Sequence, residues 1–275
     1  MNRREYLAIA SSSALGGALL TRQSTARPAK HITTSTMELR TDKVLTHVRM
    51  RAHPDGRRCY TWYQGTVYGQ LSGQRTVPLL HIEGASTSTV APQNDAAWLY
   101  RLREAGWFCD LASGKVLDEW RNPLNDKLVK PEHYNSKQLL RFGVDGVVTP
   151  AAAVLPPGLE WLGSLSEPVI AGNDVWSTEE LLVRLPPRSP DATPSLQTSL
   201  ATLHSDRRDL LRPIDAWVPA LLAYQTLASW QAWLEMGSLP GVISWRLAGR
   251  KCATLDEIPR ELRARVERQH PEVFS

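Results

Sequence analysis

The chain has 275 residues, of which 42% are hydrophobic and 22% charged. That length can bury a large core, and the composition excludes general disorder and a multi-span membrane protein. The net charge is +4, falling to +2 without the first 26 residues, which argues against a nucleic-acid binder with Lys and Arg gathered on one stripe.

The N-terminus resembles a twin-arginine export signal. Arg3-Arg4-Glu5-Tyr6-Leu7 precedes a mildly apolar run, and small residues follow at Ser24-Thr25-Ala26 where a leader peptidase would cut. The run is too short and too rich in Ser and Gly to span a membrane. Asn2 and Ala8 depart from the usual motif, and an ordinary secretory signal or a plain N-terminal helix is the alternative. The resemblance implies the twin-arginine export machinery as a partner, a periplasmic or otherwise exported location, and a mature chain without a membrane span. In oxidising surroundings the three cysteines, Cys59, Cys109 and Cys252, matter: Cys59 and Cys109 are candidates for one disulfide, and free buried thiols are the alternative.

Residues 27–43 read as a linker or surface arm, and residues 44–275 as one β-rich domain ending in a helix. Up to about residue 185 turn chemistry recurs at short intervals, in "HPDGRR", "QLSGQR", "APQND", "LASGK", "RNPLND", "VDG" and "AGND", the punctuation of antiparallel strands. "WFCDL", "KVLDEW" and "KLV" read as a meander, and Asp145-Gly146 as a hairpin turn. No long helical pattern separates these runs, which disfavours wound parallel α/β folds.

After a Pro-rich loop at 184–195, Leu196, Leu200 and Leu203 share a helical face, predicting a short helix. "WVPALLAYQTLASW" returns to β character. Ser229 is placed to cap a helix over "WQAWLEM", with Gly237 to end it. "GVISWRLAGRK" reads as a last strand, and Thr254 with Glu257 has capping-box spacing before a helix that Pro271 stops. The fold class expected is mainly β: an antiparallel β-barrel or strongly curved sheet with short C-terminal helices.

Several separated stretches, "HIEGAS", "LASGKVLDEWRNPLND", "HYN", "SWQAWLEMG" and "GRKCATLDEIPRELRARVERQHPE", occur in the order and at the spacing of the bacterial domain-of-unknown-function family 1838, which the chain resembles over nearly all of its mature length. Leu124-Asn125-Asp126-Lys127 departs from that pattern, displacing an acidic group. The resemblance implies export by the twin-arginine route and no particular activity.

Chemistry must then be sought in the residues. In "CYTWYQGTVYG", alternation puts Tyr60, Trp62, Gln64, Thr66 and Tyr68 on one face and Thr61, Tyr63, Gly65 and Val67 on the other. The first face has the composition of a ligand-pocket wall, or of a core strand whose polar tips reach the rim. In "LLHIEGAS", His81 and Glu83 share a face about 6 to 7 Å apart, as a base and its orienter or as an exposed ion pair. His133, in a loop beyond the meander, is a second acid–base candidate or a plain surface histidine. Asn122 either orients a ligand or serves turn chemistry.

Metal binding by His81, Glu83 and His133 is disfavoured by diffuse spacing, and no cofactor motif is present. Trp outnumbers Phe 10 to 3. Trp230 and Trp233 are expected to plug a barrel end, whereas Trp62, Trp107, Trp176 and Trp245 lie on strands, where a subset would line a lumen. The expectation is an exported protein that binds a hydrophobic or aromatic small molecule through Tyr60, Trp62, Tyr68, Asn122 and Trp245. If it is catalytic, the chemistry expected is acid–base, of the lyase or isomerase class, through Glu83, His81 and His133. The alternative is a non-catalytic envelope binder of lipocalin-like logic.

Overall fold

The computed structural model describes residues 42–151, 157–186 and 195–275. The expected export signal and most of the expected linker lie outside the described residues. Helix α1 (Lys43–Arg51) opens this part, with the Asp42 side chain accepting from Leu45 N at 2.8 Å as an N-cap. The expectation of strands from Val44 onward missed this helix.

Long strands follow: β1 (Cys59–Leu71), β2 (Val77–Pro92) and β3 (Trp98–Cys109), each antiparallel to the next. A two-stranded ribbon, β4 (Trp120–Arg121) with β5 (Leu128–Val129), stands where the meander was expected. Then come β6 (Tyr134–Phe142) and β7 (Val148–Pro150), joined by the Asp145-Gly146 turn with Gly146 at φ 85°. That positive φ is why glycine is needed there. The remaining strands are β8 (Glu160–Leu165), β9 (Val169–Ala171), β10 (Asp174–Leu185), β11 (Ser195–Asp206), β12 (Leu221–Ala228) and β13 (Gly241–Cys252).

These strands make an 11-stranded sheet in the order β7-β6-β3-β2-β1-β13-β12-β11-β10-β8, with β9 beside β10. The two edges of that path meet: Val147 bridges Ser164, and Leu165 N donates to Gly146 O at 2.8 Å. The sheet is thus a nearly closed antiparallel barrel, which removes the exposed edges an open sheet would present.

Both ends of the barrel are filled. At one, the short 3-10 turn Ala232–Leu234 sends Trp233 and Leu234 into a core with Val67, Ile82, Phe108 and Trp245. The expected helix over "WQAWLEM" is only this turn; of the two tryptophans expected to plug the barrel end, Trp233 enters the core and Trp230 packs against it half-buried. At the other end, α1 packs Val44, Val48 and Ala52 against Val90, Leu140 and Phe142. Its Met50 meets Val175, Leu203 and Leu222. Lys251, only 5% exposed, holds the end of this helix by donating to Arg49 O and Ala52 O at 2.7 and 2.6 Å.

The helix expected around Leu196 is strand β11. Its inward face alternates as Gln197, Ser199, Ala201, Leu203 and Ser205, Thr198 on the other face is buried as well, and Leu196 is exposed. Small polar inward residues hid the period of two, and the leucine spacing imitated a helix. A short helix α2 (Arg207–Leu210) follows. At the C-terminus the capping box of Thr254 and Glu257 forms, and α3 (Arg260–Gln269) ends two residues before Pro271. This helix lies on the outside of the barrel, where Ile258, Leu262 and Val266 cover Ala85, Ala105 and Trp107.

The three cysteines are free and buried. Cys59 sits opposite Ser88 and Cys109 opposite His81, seven residues apart along β2, or roughly 23 Å at a strand's rise. A disulfide between them is out of reach.

Candidate functional site

A cavity of about 70 Å³ lies inside the barrel between its two plugs. Its wall is a cross-strand pattern. Tyr63 on β1 faces Gly84 on β2, which faces Gly106 on β3, which faces Tyr134 on β6. A Cβ at either glycine would collide with the Tyr63 hydroxyl, so the two glycines make the trough in which the phenol lies. One step along, Thr61, Ser86, Glu104 and Ser136 form a second row. It brings a carboxyl group among small hydroxyls.

Among the described residues Glu104 is the only carboxyl group on the cavity wall, which also carries Tyr63, Tyr100, Tyr134, Tyr224 and Arg51. Ser136 Oγ donates to Glu104 Oε2 at 3.1 Å. Burial pushes the Glu104 carboxyl up, against the opposing pull of the Tyr63 and Ser136 hydroxyls and of the Arg51 charge. Burial likewise raises the four phenols, so all of them stay protonated donors at neutral pH. Tyr224 donates to Ser199 Oγ at 3.1 Å. A protonatable carboxyl beside a neutral phenol is an arrangement that can pass a proton to or from a bound molecule.

Behind the wall, α1 contributes a polar group of its own. His47, fully buried, contacts Ser177 Oγ at 2.9 Å and Glu179 Oε2 at 3.5 Å. Burial lowers its pKa more than Glu179 raises it. Burial alone would raise Glu179, but His47 and Arg51 outweigh it and hold that carboxylate below its usual range. Arg51 Nε stands 4.0 Å from Glu179 Oε2, and the guanidinium lies over the Tyr100 ring at 5.4 Å.

The residues expected from sequence fall differently. Trp245 lines the cavity. Tyr60, Trp62 and Tyr68 are on the opposite face of β1 from Thr61 and Tyr63, and so point outward. Tyr60 meets Phe274 edge-on at 6.0 Å, Trp62 packs beneath the C-terminal segment, and Tyr68 lies under Arg246 at 4.7 Å. The mixed composition of that face reflects coverage by the chain's own C-terminus.

His81 and Glu83 are half-buried on the outer face of β2. Glu83 pairs with Arg265 of α3, whose guanidinium stands over Trp107 at 5.4 Å. His133 accepts from Phe108 N at 3.2 Å, and burial lowers its pKa. Asn122 is fully buried, donating to Leu234 O at 3.0 Å and accepting from Leu124 N at 3.0 Å, which ties the β4–β5 ribbon to the plug. None of these four residues reaches the cavity wall.

Glu104, Tyr63 and Arg51 were missed. Glu104 had a legible signal: it interrupts the alternate series Tyr100, Leu102, Gly106 and Phe108, an acid on an otherwise apolar strand face. Arg51 had none, because its position depends on a helix folding into the barrel end.

Fold and site together define an antiparallel β-barrel protein with a plugged, tyrosine-lined lumen around one carboxyl group. Within that class, the chain belongs to the family described as protein of unknown function (DUF1838), whose model matches residues 56–140 and 195–274. Those stretches contain Tyr63, Glu104, Tyr134, Tyr224 and Trp245. No curated protein matches the chain. Among solved structures, the crystal structure of Rv2717c from M. tuberculosis is similar at 11% identity and a TM-score of 0.25, covering 79% of this chain and 98% of that one. That superposition is too loose to bear on function.

Proposed function

We propose that the barrel lumen binds a small, mostly apolar molecule bearing oxygen, and that Glu104 with Tyr63 performs proton transfer on it, in a reaction of the lyase or isomerase class. The observation that carries this reading is the burial of one carboxyl group in the lumen wall among four phenols and a guanidinium. Such groups are expensive to bury and cluster where chemistry needs them. The role expected for Glu83 and His133 passes to Glu104, since a general acid or base must reach its substrate. Export through the twin-arginine route is part of the same proposal, supported by Arg3-Arg4 and the short apolar run after them. Among the described residues no helix is long and apolar enough to cross a membrane.

The test is a ligand screen by Trp fluorescence and thermal shift on the wild-type chain, on Leu222→Trp, which fills the lumen, and on Glu104→Gln and Tyr63→Phe. Hits should disappear in Leu222→Trp. Turnover, where found, should fall at least a hundredfold in Glu104→Gln. Hits indifferent to Leu222→Trp would place the site elsewhere. The small volume supports a second reading, a non-catalytic binder, in which Glu104→Gln changes affinity while no hit is ever converted.

A further inference from the structure

The residues around the cavity are unevenly supplied with partners. Arg51 enters from the end of α1, its side chain 16% exposed, and lines the cavity. Its Nε has no hydrogen-bond partner. Glu179, the nearest acid, is held at 4.0 Å, beyond hydrogen-bond length, and the acceptor that stands there, Glu179 Oε2, is itself left without a hydrogen bond. A guanidinium has five N–H donors in a planar fork matched to a carboxylate. A buried guanidinium N–H left without an acceptor, as Arg51 Nε is, is costly unless something else supplies oxygen.

The surrounding wall has the same bias. It offers four phenols and the hydroxyls of Thr61 and Ser86 against one carboxyl, Glu104, and burial favours that carboxyl's protonated form. The hydroxyls and the Gln138 amide can donate or accept, but among the described residues the wall sets no carboxylate oxygen within hydrogen-bond reach of the Arg51 guanidinium.

Size narrows the choice. A cavity of about 150 Å³ is what holds a benzene ring, and this one offers about 70 Å³. The aromatic ligand expected from the tryptophan and tyrosine content therefore does not fit without displacing the wall.

We infer that the lumen takes a short-chain carboxylate, its two oxygens on the Arg51 fork and its few carbons against Leu102 and Leu222, with Glu104 and Tyr63 facing the carbon chain. Arg51 is the residue that selects for the acid. This rests on the lumen being the binding site, and it specifies the chemical class of what enters.

The experiment compares acetate, propionate and butyrate with acetamide, propionamide and butyramide. Binding to the full chain is followed by Trp fluorescence and calorimetry. In the wild type, the acids are expected to bind at least tenfold more tightly than their amides, and benzoate more weakly than butyrate. Arg51→Gln should remove the preference for acids. Arg51→Lys, which keeps the charge and loses the fork, should retain part of it, and Leu222→Trp should abolish binding of both series.

Amides that bind as well as acids, yet are lost in Leu222→Trp, would overturn the carboxylate assignment and leave the lumen reading standing. Binding that survives Leu222→Trp would overturn both, as would no binding of any probe at millimolar concentration. The acid-to-amide ratio in the wild type is decisive even if the Arg51 variants fail to fold.

Discussion

At the scale of single residues, Glu104 carries the consequence easiest to measure. Its carboxyl is raised by burial, so the protonated form is the one the fold favours. The stability this group contributes is fully present below the ordinary glutamate pKa of about 4.3 and is lost as pH rises through the raised folded value. Gln mimics the protonated state, so the thermal midpoint of Glu104→Gln should exceed that of the wild type by a margin that grows from pH 4 to pH 8. A margin constant with pH, or largest in acid, would show that Glu104 is not held as the neutral acid. Glu83 is the contrast. Its pairing with Arg265 is partly exposed, and such a pair contributes about 1 kcal/mol. Glu83→Gln should lower stability by roughly that amount and leave lumen binding unchanged, as calorimetry with any lumen ligand would check.

At the scale of elements, the inner face of the β1–β2–β3 sheet depends on glycine for its shape. Tyr63 lies across Gly84 and Gly106 because neither has a Cβ to stop it. Gly84→Ala puts a methyl group where the hydroxyl sits, and overpacking of this kind costs about 1 to 3 kcal/mol. The variant should show that loss in denaturant midpoint together with weakened ligand binding, since the phenol must leave Glu104. Binding retained at full strength would mean that Tyr63 does not form the site. These strands were legible beforehand, because turn chemistry and β-prone runs are local properties of the chain. Strand β11 was not: its inward Gln197, Ser199 and Ser205 replace the apolar alternation by which a strand is recognised. Neither was α1, whose few apolar residues bind it only to surfaces supplied by distant strands.

At the scale of the whole molecule, barrel closure and C-terminal coverage act together. Closure encloses Tyr63, Glu104 and Trp245, while α3 and the segment after it shield Tyr60, Trp62 and Trp107 on the outside. Both faces of β1 therefore carry aromatic residues, the inner one buried at Tyr63 and the outer one half-buried at Tyr60 and Trp62. The proposed export route is also a property of the whole chain, since a twin-arginine substrate folds before it crosses the membrane. Replacing Arg3 and Arg4 by Lys should leave the protein in the cytoplasm, as fractionation and immunoblotting would reveal, and undiminished export would refute the route.

The sequence by itself determined the antiparallel β character, the punctuating turns, the C-terminal helix and the capping box ahead of it, the tryptophan plug and the family resemblance. Each rests on residues near one another in the chain or on motifs in fixed order. Only the tertiary structure decided which face of each strand looks inward. Alternation separates the two faces of a strand without naming them, and the naming is done by what the far end of the chain covers. For β1 and β2 that cover is the C-terminal segment, nearly two hundred residues away in sequence, which is why Glu83 ended in an ion pair and Glu104 in the lumen.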